Sequence, residues 1–213
     1  MIIARGLKWS KSCLRLIIPH YFQTAHLSML NMKKEHLDER IVWLDMEMTG
    51  IDVNTNHILE VACLITNKNL EVVSTDLNIV IHQPDEILEN MTQWCIKNHT
   101  KTGLIAESRL SKTTVQDAEQ IILEHLKAHV REGICPLAGS SVYMDRMFLY
   151  KYMPDVNNYL HYRLIDTSTI KELITRWDLN IPKLRKGHAH RALSDIKESI
   201  QELEYYKKHL FNL

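Results

Sequence analysis

An α/β fold, a mixed sheet with helices on its faces, is predicted by the order of segments along the chain. Three runs rich in β-branched residues follow one another between residues 41 and 81. Past Pro84 short extended runs alternate with amphipathic helical ones. At 213 residues, 45% of them hydrophobic, the chain suffices for one domain with a proper core and falls short of two large ones.

The first segment is a composition break. Residues 1–34 carry Arg5, Lys8, Lys11, Arg15, Lys33 and Lys34 and no acid, the first being Glu35. An acid-free mixture of Arg, Lys, Ser and bulky apolar residues has the composition of a mitochondrial transit peptide. A targeting extension is therefore expected over 1–34 and a domain over 35–213. The competing readings are a basic tail or an upstream start, since Met29 and Met32 could each begin a complete domain, giving a cytoplasmic or nuclear form. Without residues 1–32 the chain keeps 22 basic residues against 26 acidic ones, a net of −4. Long nucleic acids are gripped by many Lys and Arg contacts to phosphate, so a mildly acidic body argues against a long polyanion and leaves room for a short one. The longest apolar runs are a few residues, far below the roughly 20 needed to cross a bilayer, so no membrane partner is expected. Cys13, Cys63, Cys95 and Cys135 form no C-x-x-C pair, which suggests reduced thiols and neither a zinc site nor a disulfide frame.

Within the body, residues 41–44, 58–65 and 70–81 read as strands. Asn54-Thr55-Asn56 and Asn67-Lys68-Asn69 supply the turns, the second short enough for a hairpin, so the sheet starts antiparallel. Helical signals follow at 92–98 and at 114–131, where Val115, Ala118, Ile121, Ile122, Leu126 and Val130 mark one apolar face and Gly133 ends the run. A buried-looking strand at 136–139 leads into a helix at 142–153 stopped by Pro154. Residues 163–166 lead into a helix at 168–177, and a last helix covers about 192–206.

The chemistry sits at element boundaries. Asp45 and Glu47 end the first strand, and two-residue spacing points both carboxylates to one face. Adjacent anions persist at neutral pH only if one is protonated or a cation lies between them, so a divalent metal is the natural third party. Alone, an Asp-x-Glu at a strand end is common turn-entry chemistry. Asp145 begins the helix after Gly139-Ser140-Ser141-Val142, and His190-Arg191-Ala192-Leu193-Ser194-Asp195 opens the last one. Asp145 alone also reads as a helix-start acid answering the dipole, and Asp195 alone as a solvated one. At roughly 100° per residue, His190 and Asp195 on one helix would diverge by about 140°. His190 is therefore placed in the loop before it, from where it can face the same cleft.

The string Trp43-Leu44-Asp45-Met46-Glu47-Met48-Thr49-Gly50, then Ala138-Gly139-Ser140-Ser141-Val142 with Asp145, then His190-Arg191-Ala192-Leu193 with Asp195, resembles the DEDDh exonucleases. Trp94-Cys95-Ile96-Lys97, Tyr150-Lys151-Tyr152-Met153-Pro154, and the blocks from Leu160 to Arg163 and from Ser168 to Leu173 are similar to the oligoribonuclease branch. The likeness runs from about residue 40 to 210. It implies a ribonuclease H-like, mixed five-stranded sheet flanked by helices, in which Asp45, Glu47, Asp145 and Asp195 hold two divalent ions, Mg²⁺ or Mn²⁺. Hard oxygen ligands suit those ions, and a two-metal clamp can activate water and neutralise a leaving 3′-oxygen. The resemblance makes His190 the general base, a role that an imidazole side chain suits, and adds Tyr162 to the catalytic group.

For the substrate, short single-stranded RNA and above all dinucleotides, the likeness places Ile51 as an apolar wedge and Trp94 as a stacking surface that grips any base. The residues themselves also allow both to be ordinary core. Ser141 would help hold the 5′-phosphate. Tyr162, Arg163 and Ser168 are implied to come from the partner subunit of a homodimer, Arg163 offering a guanidinium fork to a terminal phosphate. Three positions depart from the family pattern: Ile51 for leucine, Ser140 for asparagine and Ser194 for aspartate. None removes an expected ligand, though the shorter hydroxyls predict weaker support behind the site and a lower rate. Two competitors stand beside this reading: a DEDDh exonuclease acting on DNA 3′ ends, and a non-catalytic dimeric short-RNA binding protein.

Overall fold

The computed structural model describes residues 37–211 apart from 183, 185, 186, 188 and 189. The expected targeting extension, and Cys13 with it, lies outside the described residues. Five strands form one sheet in the order β3-β2-β1-β4-β5: β1 (Ile41–Met48), β2 (Ile58–Thr66), β3 (Leu77–Val80), β4 (Leu137–Gly139) and β5 (Leu164–Asp166). The hairpin half is antiparallel and the β1–β4–β5 half parallel, the mixed sheet that the segment order predicts. Eight helices are described: α1 (Asp85–Glu89), α2 (Gln93–Lys101), α3 (Leu104–Leu110), α4 (Val115–His129), α5 (Tyr143–Tyr152), α6 (Pro154–Tyr159), α7 (Thr167–Arg176) and α8 (Ala192–Leu210).

The register decides what each face does. Val42, Leu44 and Met46 of β1 pair with Ile65, Cys63 and Val61 of β2 and pack against Ala118, Ile122 and Leu126 of α4 and Phe148 and Leu149 of α5. On the other face Trp43 pairs with Leu64 and packs, with Ala62 and Ala138, against Ala192, Ile196 and Ile200 of α8. Trp43 is wholly buried, and its indole N–H is satisfied by Thr66 Oγ1 at 3.0 Å. α4 starts in a capping box between Thr114 and Asp117, which satisfies amides the first turn would otherwise leave unpaired.

The structure departs from the sequence reading in three places. The third strand spans 77–80 rather than 70–81, because Leu70 adopts a left-handed φ of 74° to close a turn built on Asn67, whose Oδ1 accepts from the amides of Asn69 and Glu71. Ile121, expected on the apolar face of α4, is 41% exposed. Three short helices, α1, α3 and α6, were not expected. In the last case Pro154 both stops α5 and occupies the first turn of α6, where its missing N–H costs nothing. Cys63, Cys95 and Cys135 are free and buried.

Candidate active site

The acidic cluster is an extension of the packing just described. Residues 41, 43, 45 and 47 share the face of β1 that α8 covers; Trp43 meets the apolar flank of α8, and two residues on the row turns acidic. Asp45 stands opposite Ala62 and Glu47 opposite Glu60. α8 begins at Ala192, so Asp195 falls in its first turn above this row. One ligand oxygen from each of Asp45, Glu47 and Asp195 lies within 4.8 Å of the others.

Asp145 arrives from the opposite side. β4 ends at Gly139 and pairs with β1 only at Val42 and Trp43, so the later amides of that edge need another acceptor. Asp145, in the first turn of α5, takes the Met46 N–H on Oδ1 at 2.9 Å. Gly139 is required where β4 hands over to α5, since a Cβ there would lie 2.9 Å from the Leu44 carbonyl oxygen.

These carboxylates resist ionising together. Burial first, then the charges of Asp145, Glu47, Asp195 and Glu60, holds the Asp45 carboxyl well above the usual range. Burial, then Asp195, Glu60 and Asp145, pushes Glu47 up to about 8, with Arg191 opposing. Asp145 is pushed to about 8 by burial, with Asp166 adding and the amides of Asp145 itself and Met46 opposing. Oxygens gathered this closely, at such electrostatic cost, fit a hard divalent cation of the Mg²⁺ or Mn²⁺ class.

His190 lies just before α8, as the spacing argument requires, with a left-handed φ of 52°. Its ring stands edge-on to Trp94 at 5.5 Å between centroids. Trp94 is 58% exposed and Ile51 75% exposed, which removes the reading of either as core. Both border a cavity of about 400 Å³ that also touches Glu47, Thr92 and His99.

His99 was missed from sequence. It is buried on the inward side of α2, one turn after Cys95, and that i, i+4 pairing with a buried thiol was the available signal. Its Nε2–H donates to the Met48 carbonyl at 3.0 Å, while Nδ1 lies 3.9 Å from Glu47 Oε2 and has no hydrogen-bond partner among the described residues. Burial, with His190 nearby, lowers its pKa, and the Met48 bond and the Glu60 charge oppose that shift. Glu60 and Arg191 also emerge only in three dimensions. Glu60 is fully buried yet charged, its carboxyl kept low by the bonds from Arg191, Asn78 and Ala192 against the cost of burial.

Ser141 and Ser168 meet within one chain. Ser141 has a left-handed φ of 56°, and Asp166 Oδ1 accepts from the amides of both Ser141 and Ser168 at 2.9 Å. The hydroxyls of Ser140 and Ser141 lie 2.9 and 3.1 Å from that of Ser168, so bringing this trio together needs no second copy. Tyr162 is 73% exposed, its ring tilted against that of His161 and beneath the Arg163 guanidinium. Neither Tyr162 nor Arg163 makes a hydrogen bond or ion pair with the carboxylate cluster of its own chain among the described residues.

Comparison with known proteins agrees with this geometry. The model of the RNase T exonuclease family matches residues 42–203. A probable oligoribonuclease of Dictyostelium discoideum is 50% identical over 173 residues, covering 81% of this chain and 91% of its own. The human protein named mitochondrial oligoribonuclease is 45% identical over 179 residues, covering 83% and 76%. The bovine and mouse relatives also carry that mitochondrial name. Among solved structures, S. pombe Pop2p in a Mg²⁺- and Mn²⁺-bound form superposes with a TM-score of 0.61 at 11% identity, covering 89% of this chain and 90% of that one. E. coli exonuclease I gives a TM-score of 0.64 at 14% identity over 82% of this chain and 42% of its own, so this chain spans under half of that enzyme. The sheet and its flanking helices are the ribonuclease H-like arrangement that the sequence predicts.

Proposed function

This chain belongs to the oligoribonuclease family of 3′→5′ exonucleases, and from that premise we propose that it degrades short RNAs, dinucleotides above all, to nucleoside 5′-monophosphates. It is a hydrolase of phosphodiester bonds. The observation that carries the substrate reading is the shared cavity: Glu47 of the carboxylate cluster, exposed Trp94 and exposed Ile51 border one space of about 400 Å³. That volume suits a base or two.

Asp45, Glu47, Asp145 and Asp195 would hold two divalent ions. When bound, such ions supply Lewis-acid activation of water and neutralise charge at the leaving 3′-oxygen. The chain's own groups do the rest. His190 accepts the proton of the attacking water as its oxygen bonds to phosphorus and the P–O3′ bond breaks. Trp94 stacks on a base and Ile51 separates it from the next, both without sequence preference. The Ser141 hydroxyl donates to a terminal 5′-phosphate, and Tyr162, Arg163 and Ser168 of the partner subunit of a homodimer reach the same site. A capped 5′ end then measures length, in keeping with the net charge of −4 for the chain without residues 1–32. Residues 1–34 act as a mitochondrial targeting segment ahead of the exonuclease domain at 35–213, with starts at Met29 or Met32 giving a cytoplasmic or nuclear form. Three mammalian relatives bearing the mitochondrial name support that reading.

The test is hydrolysis of a 5′-labelled RNA dinucleotide, the matched DNA dinucleotide and a seven-residue RNA with Mn²⁺, beside an Asp145→Ala control. Rapid loss of the RNA dinucleotide, abolished in the control, is expected. Cleavage of the longer RNA alone would make it a general exonuclease, preference for DNA would move the substrate class, and binding without cleavage would leave a short-RNA binding protein.

A further inference from the structure

Arg191 lies between His190 and the first residue of α8, and its guanidinium is gripped from two sides. Nε donates to both oxygens of Glu60 at 3.1 and 3.2 Å, and Nη2 to Glu60 Oε1 at 2.7 Å. Nη1 and Nη2 also donate to the Glu107 oxygens at 3.1 and 2.7 Å, tying the same group to α3. Glu60 does more than pair. Its Oε2 accepts the Ala192 N–H at 3.0 Å, an amide that a helix start leaves without an internal acceptor, and its Oε1 accepts from Asn78 at 2.8 Å. No side chain caps α8 from its own N-cap position, so this strand carboxylate takes over that task.

The residue before Arg191 is the one under strain. A left-handed histidine costs of order 1–3 kcal/mol and persists only where its surroundings over-determine it. With Arg191 anchored to β2 and α3, and Ala192 anchored to β2, the chain on the C-terminal side of His190 has little freedom. Resting on the exoribonuclease reading, we propose that Glu60, Arg191 and Glu107 form a positioning clamp. It holds His190 in its left-handed pose against Trp94 and seats the turn of α8 that carries Asp195. The clamp has an electrostatic side as well. Glu60 stands directly across from Glu47, and its ion pair with Arg191 offsets part of the negative charge it adds to the cluster.

The experiment uses the full chain with Arg191→Met, Arg191→Lys and Glu107→Gln. Turnover of an RNA dinucleotide with Mn²⁺ gives kcat and KM, and amide hydrogen exchange over residues 190–196 reports the clamp without turnover. Arg191→Met is expected to lower kcat about 10–100-fold, the usual loss when a partner behind a catalytic group is removed, with KM within about threefold. Exchange over 190–196 should accelerate while residues 200–210 keep theirs. Arg191→Lys should recover part of both effects, and Glu107→Gln should lose several-fold in kcat. Wild-type kcat and exchange in Arg191→Met would overturn the clamp, as would faster exchange with unchanged kcat. Should Arg191→Met fail to fold, Glu107→Gln decides by the same two readings, its carboxylate lying on the exposed side of the clamp. A wild-type protein that cleaves no dinucleotide would sink the functional reading instead. Exchange alone then judges the clamp, acceleration sustaining it and no change removing it.

Discussion

Glu47→Gln should end activity and yet stabilise the metal-free protein. The Glu47 carboxyl is only 9% exposed, and burial together with Asp195, Glu60 and Asp145 moves its pKa from 4.5 to about 8. The folded state therefore keeps a proton that the unfolded chain releases, and stability falls as pH climbs from 4.5 towards 8. At pH 7, two and a half pH units above the ordinary value, holding this group protonated while the unfolded chain ionises it costs the fold about 3 kcal/mol, taking about 1.36 kcal/mol per unit. Glutamine removes the charge at nearly constant volume and recovers most of that. Thermal unfolding in chelator should give wild-type and variant curves that nearly coincide close to pH 4.5 and diverge as pH rises. The gap at pH 7 should reach roughly 6–12 °C, at about 2–4 °C per kcal/mol for a domain of this size. Mn²⁺ should reverse the order at pH 7, because only the wild type offers the full set of oxygens. A pH-independent gap, or a variant less stable than wild type at pH 7 in chelator, would refute the account of mutually repelling carboxylates.

His190→Gln should lower kcat by about 10²–10⁴-fold, as loss of a general base does, while Mn²⁺ still raises the melting temperature; loss of that metal response would make His190 a ligand. Trp94→Ala should raise KM about 5–150-fold, corresponding to about 1–3 kcal/mol of stacking per base, with little change in melting temperature because the ring is 58% exposed. Ser141→Ala should cost about tenfold or more in KM for 5′-phosphorylated dinucleotides, the worth of a hydrogen bond to a charged group, and almost nothing for 5′-hydroxyl ones; equal losses on both would remove Ser141 from the phosphate site. Thr114→Ala should destabilise by about 1 kcal/mol through the lost cap, read by chemical denaturation, with kcat untouched.

The parts of the fold legible in the sequence were those whose physics is local. β1 and β2 announce themselves through apolar runs that carry β-branched residues, α4 through its apolar period, and the loop position of His190 through helical geometry alone. Helices of five to seven residues such as α1, α3 and α6 present too few turns for periodicity to register. The third strand was overextended because β propensity at 70–73 is real while the turn at Leu70 is set by Asn67 side-chain bonds. Within the site, Asp45 and Glu47 could be paired from strand spacing, whereas Ile51 and Trp94 stayed ambiguous between core and contact until their exposure was known. His99 and Glu60 were invisible for a different reason. Each looks like a polar residue inside an ordinary element, and its partners are 51 and 131 residues away in sequence.

β1 alternates between hydrocarbon on one side and a row that begins with Trp43 and ends in Asp45 and Glu47 on the other. The strand therefore works as a parity code, and parity is more fragile than identity. Substituting Leu44 by another aliphatic residue leaves every neighbour facing its proper side, whereas deleting one residue between 41 and 45 would turn the outer carboxylates into the hydrocarbon layer and bring Met46 to the cleft. Lineages descending from this chain should thus vary in the letters of β1 but almost never in its length.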